Sequence, residues 1–295
     1  MEYIHLNNGI DMPQVGLGTF QLPKDKINSI IGKAYEFGYR KFDTAYLYGN
    51  ERNIANALKA NGIKREDIFI TTKLTGTAQY FHPIKRIPFR IKYRSLKKCV
   101  ETSMNNLNTD YVDLFLIHSA SVDYLEMYKV LSDFYREGRI RAIGVCNCLS
   151  QHIKSLKEVS DIVPAVNQIE ISPLNTQKKL IQECFDMGIA VEAMSTFSHA
   201  RSSVPRLEIM NNKLIEDIAA KYGKSTVQIV LRWLVQQGIS VIPKTKSINH
   251  LKDNISLFDF SLSMDDMKAI DSMDKGEFLN YSPYLTIKNI PEKYR

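Results

Sequence analysis

The chain has 295 residues, of which 44% are hydrophobic and 24% charged, a composition that is ordinary for a soluble globular protein with a sizeable core. Its net charge is +7, but no nucleic-acid-binding motif accompanies the basic residues. No apolar stretch approaches the roughly 18 residues that cross a bilayer, the N-terminus lacks the features of a signal peptide, and the four cysteines form no disulfide or zinc pattern. We therefore expect a cytoplasmic protein with no metal site and no membrane or nucleic-acid partner.

Strand-like and helix-like segments alternate along the chain. Residues 3–12 predict a β-hairpin whose turn contains Asn8-Gly9. The strands predicted after it are Val15–Gly18, Lys41–Thr44, Phe69–Thr72, Asp113–Ile117, Ala142–Val145, Val166–Ile169, Ala190–Met194 and Ser240–Ile242. The predicted helices are Lys24–Phe37, Glu51–Ala60, Lys92–Leu107, Tyr124–Arg136, Gln151–Val159, Gln177–Met187 and Asn211–Tyr222. Trp233, the single tryptophan, is expected in the core of a further helix.

This alternation predicts an α/β fold in which eight parallel strands close into a (β/α)8 TIM barrel, with the N-terminal hairpin covering its floor. We expect one domain over residues 1–295. A doubly wound Rossmann fold would show the same alternation, but it requires the motif G-x-G-x-x-G after the first strand. Residues 16–21 read Gly-Leu-Gly-Thr-Phe-Gln and lack the third glycine. The barrel is therefore the favoured fold.

Three segments fall outside this pattern. Residues 75–90 predict a long loop after the third strand, which we expect at the active-site mouth. This loop lies in a stretch, residues 68–100, that has eight Lys or Arg and no Asp or Glu. The excess is explained either by attraction of a phosphorylated cofactor or anionic substrate, or by a solvated loop and helix face. Residues 198–211 are expected to be a substrate loop, and residues 281–295 an irregular tail over the top or side of the barrel.

Four residues carry the functional prediction. Asp43, Lys73 and His118 end the second, third and fourth predicted strands, and Tyr48 lies in the loop after the second. Each alone is explained more simply as a cap, packing or core residue. Because catalytic groups of a (β/α)8 barrel come from the carboxyl ends of several strands, we expect these four side chains to converge.

Together these residue types predict a general acid. Tyrosine titrates near ~10, and a neighbouring lysine cation favours the phenolate and lowers that pKa. Asp43 would hold the Lys73 ammonium, because a buried unpaired charge is costly. His118 would hydrogen-bond a carbonyl oxygen or join a proton relay. The predicted unit protonates an oxyanion.

The segments that contain these residues, Gly38–Ala45, Tyr48–Glu51, Thr72–Leu74 and Leu116–His118, resemble the aldo-keto reductase superfamily. The similarity extends over nearly the whole chain. Further matching segments are Gly16–Thr19, Ile143–Asn147, Val166–Glu170 and Val241–Thr245.

The resemblance implies a (β/α)8 barrel with a nicotinamide cofactor across its carboxyl-terminal mouth. The reaction that it implies is hydride transfer to an aldehyde or ketone carbonyl, with Tyr48 as proton donor. Lys73 and Asp43 would tune Tyr48, and His118 would orient the carbonyl. By the same resemblance the small-molecule carbonyl substrate contacts Phe20, Tyr48, His118 and Ser119.

The cofactor contacts are also implied by this resemblance. Asn147 and Gln168 would bind the nicotinamide carboxamide and Ser195 the diphosphate, and Lys244 and Thr245 would lie at the adenosine end. The full set of implied cofactor residues is Gly18, Thr19, Asp43, Cys146, Asn147, Gln168, Met194, Ser195, Lys244, Thr245, Ser247, His250, Asp253 and Asn254.

Several of these positions depart from the family pattern. Met194 stands where the family has an aromatic residue against the nicotinamide ring, and a thioether cannot stack as a plane. Cys146 stands where the family has a serine. His250 stands where the family has the arginine that binds the 2′-phosphate, and an imidazole cannot make the bidentate contact that arginine makes. Ser119 and Phe20 stand where many relatives have tryptophan. NADPH remains the expected cofactor, with NADH as the alternative.

Two functions are consistent with the sequence. The first is an NAD(P)H-dependent carbonyl reductase, which the intact set of four residues favours. The second is a nucleotide-binding regulatory protein on the same fold with slow or no turnover, for which the departures at Met194, Cys146 and His250 leave room. A monomer is expected in either case.

Overall fold

The computed structural model describes residues 2–76, 96–197, 204–278 and 282–295. Most of the predicted loop at residues 75–90 and the predicted start of the third helix at residues 92–95 lie outside these ranges. The position of that loop at the active-site mouth therefore stays a prediction.

The chain begins with the predicted hairpin. Strands β1 (Tyr3–His5) and β2 (Asp11–Pro13) pair antiparallel, and Gly9 in the turn has φ +84°, a conformation that favours glycine. The amide of Asn7 donates to the carbonyl of Pro164 and that of Asn8 to Arg141, both near the amino ends of barrel strands. The hairpin thus covers the barrel floor, as predicted.

Eight parallel strands form the barrel in sequential order. They are β3 (Leu17–Gly18), β4 (Lys41–Asp43), β5 (Phe69–Leu74), β6 (Val112–Ile117), β7 (Ile140–Cys146), β8 (Val166–Glu170), β9 (Ala190–Met194) and β10 (Ser240–Val241). A parallel bridge between Val15 and Val241 joins the first barrel strand to the last, and the Gly16 amide donates to the Val241 carbonyl at 2.8 Å. The predicted (β/α)8 barrel is confirmed.

Helices follow the strands. In the described part of the chain they are α1 (Ile27–Glu36), α2 (Glu51–Ala60), α3 (Leu96–Leu107), α4 (Tyr124–Arg136), α5 (Ser150–Ser155), α6 (Lys178–Asp186), α7 (Val204–Met210), α8 (Lys213–Tyr222), α9 (Thr226–Val235), α10 (Ile248–Ile255) and α11 (Met264–Asp271). Ser225 begins α9 with a capping box, in which its hydroxyl accepts from the Gln228 amide. Trp233 is buried in this helix, as predicted, and its indole donates to Asp271.

Three helices were not predicted from the sequence. Helix α7 lies within residues 198–211, which were expected to be a loop, and α10 and α11 follow the last barrel strand. Each has only seven or eight residues. Such short segments hold too little of the 3.6-residue apolar period to identify a helix.

The tail packs along the side of the barrel. It forms 3-10 turns at Pro283–Asn289 and Glu292–Tyr294. The Asn289 amide donates to the carbonyl of Ala120 just after β6, and Lys293 pairs with Glu158 at 2.8 Å. The expected position of the tail is confirmed for its described residues, 282–295.

Alternation along the strands decides which side chains enter the barrel. In β4 and β5, Phe42 and Ile70 face outward and join the large core under the helices. The alternate residues Asp43, Thr71 and Lys73 therefore face inward. Beneath them a smaller apolar cluster fills the barrel toward its floor, formed by Leu6, Met12, Phe69, Leu114, Leu116, Ala142, Cys146, Ala165 and Val166. No helix among the described residues is both long and apolar enough to span a membrane.

Candidate active site

The side chains of Asp43, Lys73 and Tyr48 meet at the carboxyl end of the barrel. Lys73 Nζ donates to Asp43 Oδ1 at 2.6 Å and Oδ2 at 2.7 Å, and to the Thr44 carbonyl at 3.0 Å. It lies 3.3 Å from the Tyr48 hydroxyl. Lys73 is fully buried and Asp43 nearly so. Three of the four predicted residues are thus in one hydrogen-bonded chain.

Tyr48 is held by the loop after β4. A 3-10 turn at Tyr46–Tyr48 carries the ring and ends at Gly49 in the left-handed region. The Asn50 side chain fixes this loop, because its Oδ1 accepts from the Thr44 hydroxyl at 2.8 Å and its Nδ2 donates to the Thr19 carbonyl at 2.9 Å. The loop is therefore tied to the ends of β3 and β4.

His118 completes the group of four. Its backbone amide donates to the Leu74 carbonyl at 2.8 Å, which extends the pairing of β6 with β5. Its ring lies edge-on to that of Tyr48, with centroids 5.8 Å apart, and Nδ1 is 3.4 Å from the Thr75 hydroxyl. The imidazole and the phenol therefore border the same space above the barrel.

Burial and charge set the protonation states in this group. Burial raises the pKa of the Tyr48 phenol to about 12, and the Lys73 charge opposes this without overcoming it. Burial alone would lower the pKa of Lys73, but the Asp43 carboxylate raises it above its ordinary value, so Lys73 is a cation. Burial and the Lys73 charge together lower the pKa of His118 to about 3. At neutral pH the site contains a neutral phenol and a neutral imidazole beside an ammonium.

This result corrects one expectation about Tyr48. The sequence predicted that Lys73 would bring the Tyr48 pKa below its ordinary value. The Lys73 charge does lower that pKa, but the loss of solvent around the ring raises it more. The phenol is protonated at neutral pH and can act as an acid.

Phe20 and Ser119 lie beside the four. The Phe20 ring is 4.8 Å from that of Tyr48, centroid to centroid, and is 38% exposed, so it forms part of the open wall next to the phenol. Ser119 follows His118 and is buried. Of the predicted substrate contacts, Phe20, Tyr48 and His118 are brought together directly.

The predicted nicotinamide residues follow the neighbouring strands. Asn147 and Ser195 come directly after β7 and β9, and both have the left-handed backbone, with φ +51° and +55°. Gln168 faces inward from β8, and the thiol of Cys146 lies 3.8 Å from its side-chain oxygen. Met194 ends β9 and is half-buried. These residues share one side of the barrel mouth.

Two predicted residues at β3 have structural roles of their own. A Cβ atom on Gly18 would lie 2.6 Å from the Ile242 carbonyl oxygen and 3.7 Å from Lys244 Cβ, so glycine permits the close approach of these segments. The Thr19 hydroxyl donates to the Asp43 carbonyl at 2.8 Å. Gly18 therefore permits the contact with the segment that follows β10, and Thr19 supports the strand end that carries Asp43.

The predicted adenosine end lies at the start of α10. Ser247 caps this helix, and its hydroxyl accepts from the His250 amide at 3.5 Å. Thr245 precedes the cap and accepts from the Ser247 amide at 3.0 Å. Lys244, His250 and Asp253 are exposed, whereas Asn254 is buried.

The donor set fits a dinucleotide cofactor. Amides that suit a carboxamide are present at Asn147 and Gln168, and hydroxyls and a cation that suit phosphates are present at Ser195, Ser247 and Lys244. They follow strands β7 to β10 around one side of the mouth. Within the described residues, no group of three His, Cys, Asp or Glu side chains could hold a metal ion.

Sequence reasoning missed three buried residues beside the site. Lys41 Nζ donates to Glu192 Oε2 and to the Ser240 hydroxyl, and Glu192 Oε1 accepts from Gln168 Nε2 at 2.8 Å. A signal was present, because Lys41 and Glu192 are charged residues within predicted strands. Charged side chains there must pair inside the barrel or reach solvent.

The chain matches known proteins over almost its full length. The sequence model of the Aldo/keto reductase family matches residues 14–275. The glyoxal reductase of Bacillus subtilis is 35% identical over 95% of both chains, and the methylglyoxal reductase DkgA of Escherichia coli K12 is 34% identical over 95% of this chain and 96% of that protein. A crystal structure of a Bombyx mori aldo-keto reductase in complex with NADP has 32% identity and a TM-score of 0.81, covering 94% of each chain.

The barrel fold, with four polar side chains that converge at its carboxyl end, and the comparisons together define an oxidoreductase. The chain belongs to the aldo/keto reductase family. The predicted class, an NAD(P)H-dependent reductase of carbonyl groups, is confirmed, and nothing in these comparisons supports the alternative of a regulatory protein without turnover.

Proposed function

We propose that this chain reduces small α-dicarbonyl compounds, such as methylglyoxal, to hydroxycarbonyl compounds with NADPH. Two of the relatives described above are a glyoxal and a methylglyoxal reductase, each about one-third identical to this chain. The site is open beside Phe20, whose ring is exposed, and this suits a small substrate that needs little enclosure. The observation that carries the proposal is the position of the Tyr48 hydroxyl, 3.3 Å from a buried Lys73 cation.

In this proposal Tyr48 is the proton donor. Its phenol is protonated at neutral pH, because burial raises its pKa to about 12. The alkoxide that develops on the substrate is more basic than a phenolate, so proton transfer to it is favourable. General acid catalysis of this kind contributes roughly 10²–10⁴ in rate. When bound, the nicotinamide cofactor supplies the hydride.

Lys73 and Asp43 support that transfer electrostatically. As the phenol loses its proton, negative charge develops 3.3 Å from the Lys73 ammonium. A fixed cation in a buried site stabilises such charge without reorganisation. Asp43 keeps the ammonium in place through both carboxylate oxygens. The pair thus acts on Tyr48 and not on the substrate.

His118 orients the carbonyl in this proposal. The imidazole is neutral, because burial and Lys73 lower its pKa to about 3. A neutral imidazole can donate one N–H hydrogen bond to the carbonyl oxygen. Since the rings of His118 and Tyr48 lie 5.8 Å apart, one oxygen between them can accept from both groups.

Asn147, Gln168, Ser195 and Lys244 would hold the cofactor. NADPH is proposed ahead of NADH because the exposed Lys244 offers a cation near the adenosine end. His250, where the family has arginine, weakens that preference and does not reverse it. NADP is also the cofactor in the Bombyx mori structure.

A steady-state assay tests the proposed function. The purified chain is supplied with NADPH and, in turn, methylglyoxal, glyoxal and an aromatic aldehyde, and NADPH oxidation is followed by absorbance. We expect kcat/KM to be highest for the dicarbonyl compounds. The substrate proposal is wrong if the aromatic aldehyde is preferred, and the whole proposal is wrong if NADPH binds tightly but no carbonyl compound is reduced.

A further inference from the structure

A buried ion pair lies inside the barrel next to the proton-donating group. Lys41 on β4 and Glu192 on β9 are both 0% exposed, and Lys41 Nζ donates to Glu192 Oε2. Ser240 donates to the same oxygen at 2.7 Å. A Cβ atom on Gly16 would lie 2.5 Å from Lys41 Cε, so the Lys41 side chain occupies space that glycine leaves open. The roles proposed above make no use of this pair.

Gln168 connects this pair to the catalytic group. Its Nε2 donates to Glu192 Oε1 at 2.8 Å and to Asp43 Oδ2 at 3.0 Å. An ionised carboxylate can only accept hydrogen bonds. Both N–H groups of the Gln168 amide are therefore used between two carboxylates, and its carbonyl oxygen points away from them, with the Cys146 thiol 3.8 Å away as a weak donor.

The charge on Glu192 depends on Lys41. Burial would raise the pKa of Glu192, but the Lys41 charge and the bonds from Lys41, Ser240 and Gln168 bring it below its ordinary value. Without Lys41, the buried carboxyl would take up a proton and become a donor. Gln168 could then turn its amide and offer Nε2 where it now offers its oxygen.

We propose that Lys41 and Glu192 are positioning residues that lock the Gln168 amide, so that its carbonyl oxygen accepts from the N–H of the nicotinamide carboxamide. This inference rests on the proposed function, which places Gln168 at the cofactor. It assigns a task to two residues that touch neither substrate nor cofactor. The buried pair sets the affinity for the cofactor through one amide.

The alternative is that the pair only stabilises the barrel. A double replacement distinguishes positioning of Gln168 from stabilisation of the barrel. Replacing both members of a buried ion pair with apolar residues of similar volume is often neutral for stability, whereas removing one member is costly. Lys41→Met leaves Glu192 unpaired. The double variant Lys41→Met/Glu192→Met removes both charges and leaves Asp43 as the one carboxylate that accepts from Gln168 Nε2.

Two quantities are measured for each variant: the Kd for NADPH, from a fluorescence titration without substrate, and the free energy of unfolding in urea. We expect Lys41→Met to lose both stability and affinity. The double variant should regain most of the stability, but its Kd should stay about tenfold or more above the wild-type value. A double variant with wild-type Kd would overturn the inference.

A matched control comes from the other end of the barrel. Arg65 Nη2 pairs with the buried Asp113 Oδ2 at 2.5 Å, and Arg141 holds the other oxygen. Arg65→Met should lower stability without changing the Kd for NADPH. If it raises Kd as much as Lys41→Met does, the loss of affinity is a consequence of general destabilisation and the inference is wrong.

Combination with Gln168→Leu tests the route of the effect. If the pair acts through the amide, the Lys41→Met/Glu192→Met replacement should change the Kd little once Gln168 is already leucine. A full additional loss would contradict the inference. Failure of the proposed function is separate, since it would appear in the wild-type chain as absent NADPH binding or absent turnover.

Discussion

Lys73 donates to both carboxylate oxygens of Asp43, at 2.6 and 2.7 Å, deep in the end of the barrel. These two hydrogen bonds fix the position of the Lys73 ammonium, and the carboxylate balances its positive charge. Because the same Nζ lies 3.3 Å from the Tyr48 hydroxyl, any shift of Asp43 moves the cation relative to the phenol. The ion pair therefore sets the electrostatic environment of the proposed acid.

The first prediction concerns Tyr48 as the acid. Tyr48→Phe removes the hydroxyl and keeps the ring against Phe20 and His118. We expect kcat for methylglyoxal reduction to fall by about 10²–10⁴-fold, the usual contribution of a general acid. The Kd for NADPH should change by less than about threefold, because the phenol is not among the proposed cofactor contacts.

Tyr128→Phe is the matched control for this variant. Tyr128 is buried on helix α4, and its hydroxyl donates to the Ile162 carbonyl at 3.0 Å. We expect a modest loss of stability and unchanged kcat. If Tyr48→Phe keeps more than a tenth of wild-type turnover, Tyr48 is not the proton donor.

The main features of the fold and the site could be predicted from the sequence. The alternation of strand-like and helix-like segments locates the barrel elements, and the polar residues that end successive strands locate the proposed catalytic group. The pairing inside the barrel could not be predicted. Lys41 and Glu192 are 151 residues apart in the chain, and only the closed barrel brings their side chains together.

The Tyr48 pKa shows another limit of sequence reasoning. The residue types indicate which charges are close, and Lys73 does lower this pKa as expected. The opposing effect of burial depends on how Phe20, His118 and the loop after β4 pack around the ring. That packing is a property of the folded chain and has no local sequence pattern.

The second prediction concerns the pH dependence of stability at His118. Burial and Lys73 lower its pKa from 6.5 to about 3 in the folded chain. As the pH falls below 6.5, the unfolded chain binds a proton that the folded chain excludes. The contribution of a neutral His118 to the free energy of unfolding is therefore fully present above pH 6.5 and is lost as the pH falls toward 3.

Urea unfolding of the wild type and of His118→Gln between pH 7 and 4 measures this effect. The wild-type free energy of unfolding should fall more steeply below pH 6.5, by up to about 1.4 kcal/mol per pH unit for one full proton. The variant lacks that proton-binding group. Parallel curves for the two chains would show that the folded chain does not lower the pKa of His118.

The third prediction concerns the choice of cofactor. His250 is exposed in the first turn of helix α10, and its imidazole cannot bind a phosphate through two parallel hydrogen bonds. His250→Arg introduces a guanidinium group that can make this bidentate contact. We expect the ratio of kcat/KM for NADPH to that for NADH to rise about tenfold, which corresponds to about 1.4 kcal/mol. The ratio is measured with one carbonyl substrate at fixed ionic strength.

His5→Arg is the control for added charge. His5 is exposed on strand β1 of the hairpin, at the barrel floor. This variant adds the same side chain far from the mouth and should leave the ratio unchanged. An equal rise in both variants would mean that overall charge, and not a contact at position 250, changes the preference for NADPH.

The last prediction concerns stability inside the barrel. Thr71 faces inward from β5, and its buried hydroxyl has no hydrogen-bond partner among the described residues. A buried hydroxyl without a partner costs about 1–3 kcal/mol. Thr71→Val removes that group and keeps the branched shape that suits a strand. We expect the free energy of unfolding in urea to rise by about 1 kcal/mol.

The neighbouring threonine provides the opposite case. The Thr72 hydroxyl faces the helices and donates to Glu51 Oε1 at 2.7 Å, within a buried carboxylate site that Asn106 also contacts. Thr72→Val should therefore lower stability by about 1–2 kcal/mol, because the Glu51 carboxylate loses a donor. If Thr71→Val destabilises the chain as much as Thr72→Val does, the Thr71 hydroxyl has a partner such as a bound water. The barrel interior would then contain a hydrated position beneath the Lys73–Asp43 pair.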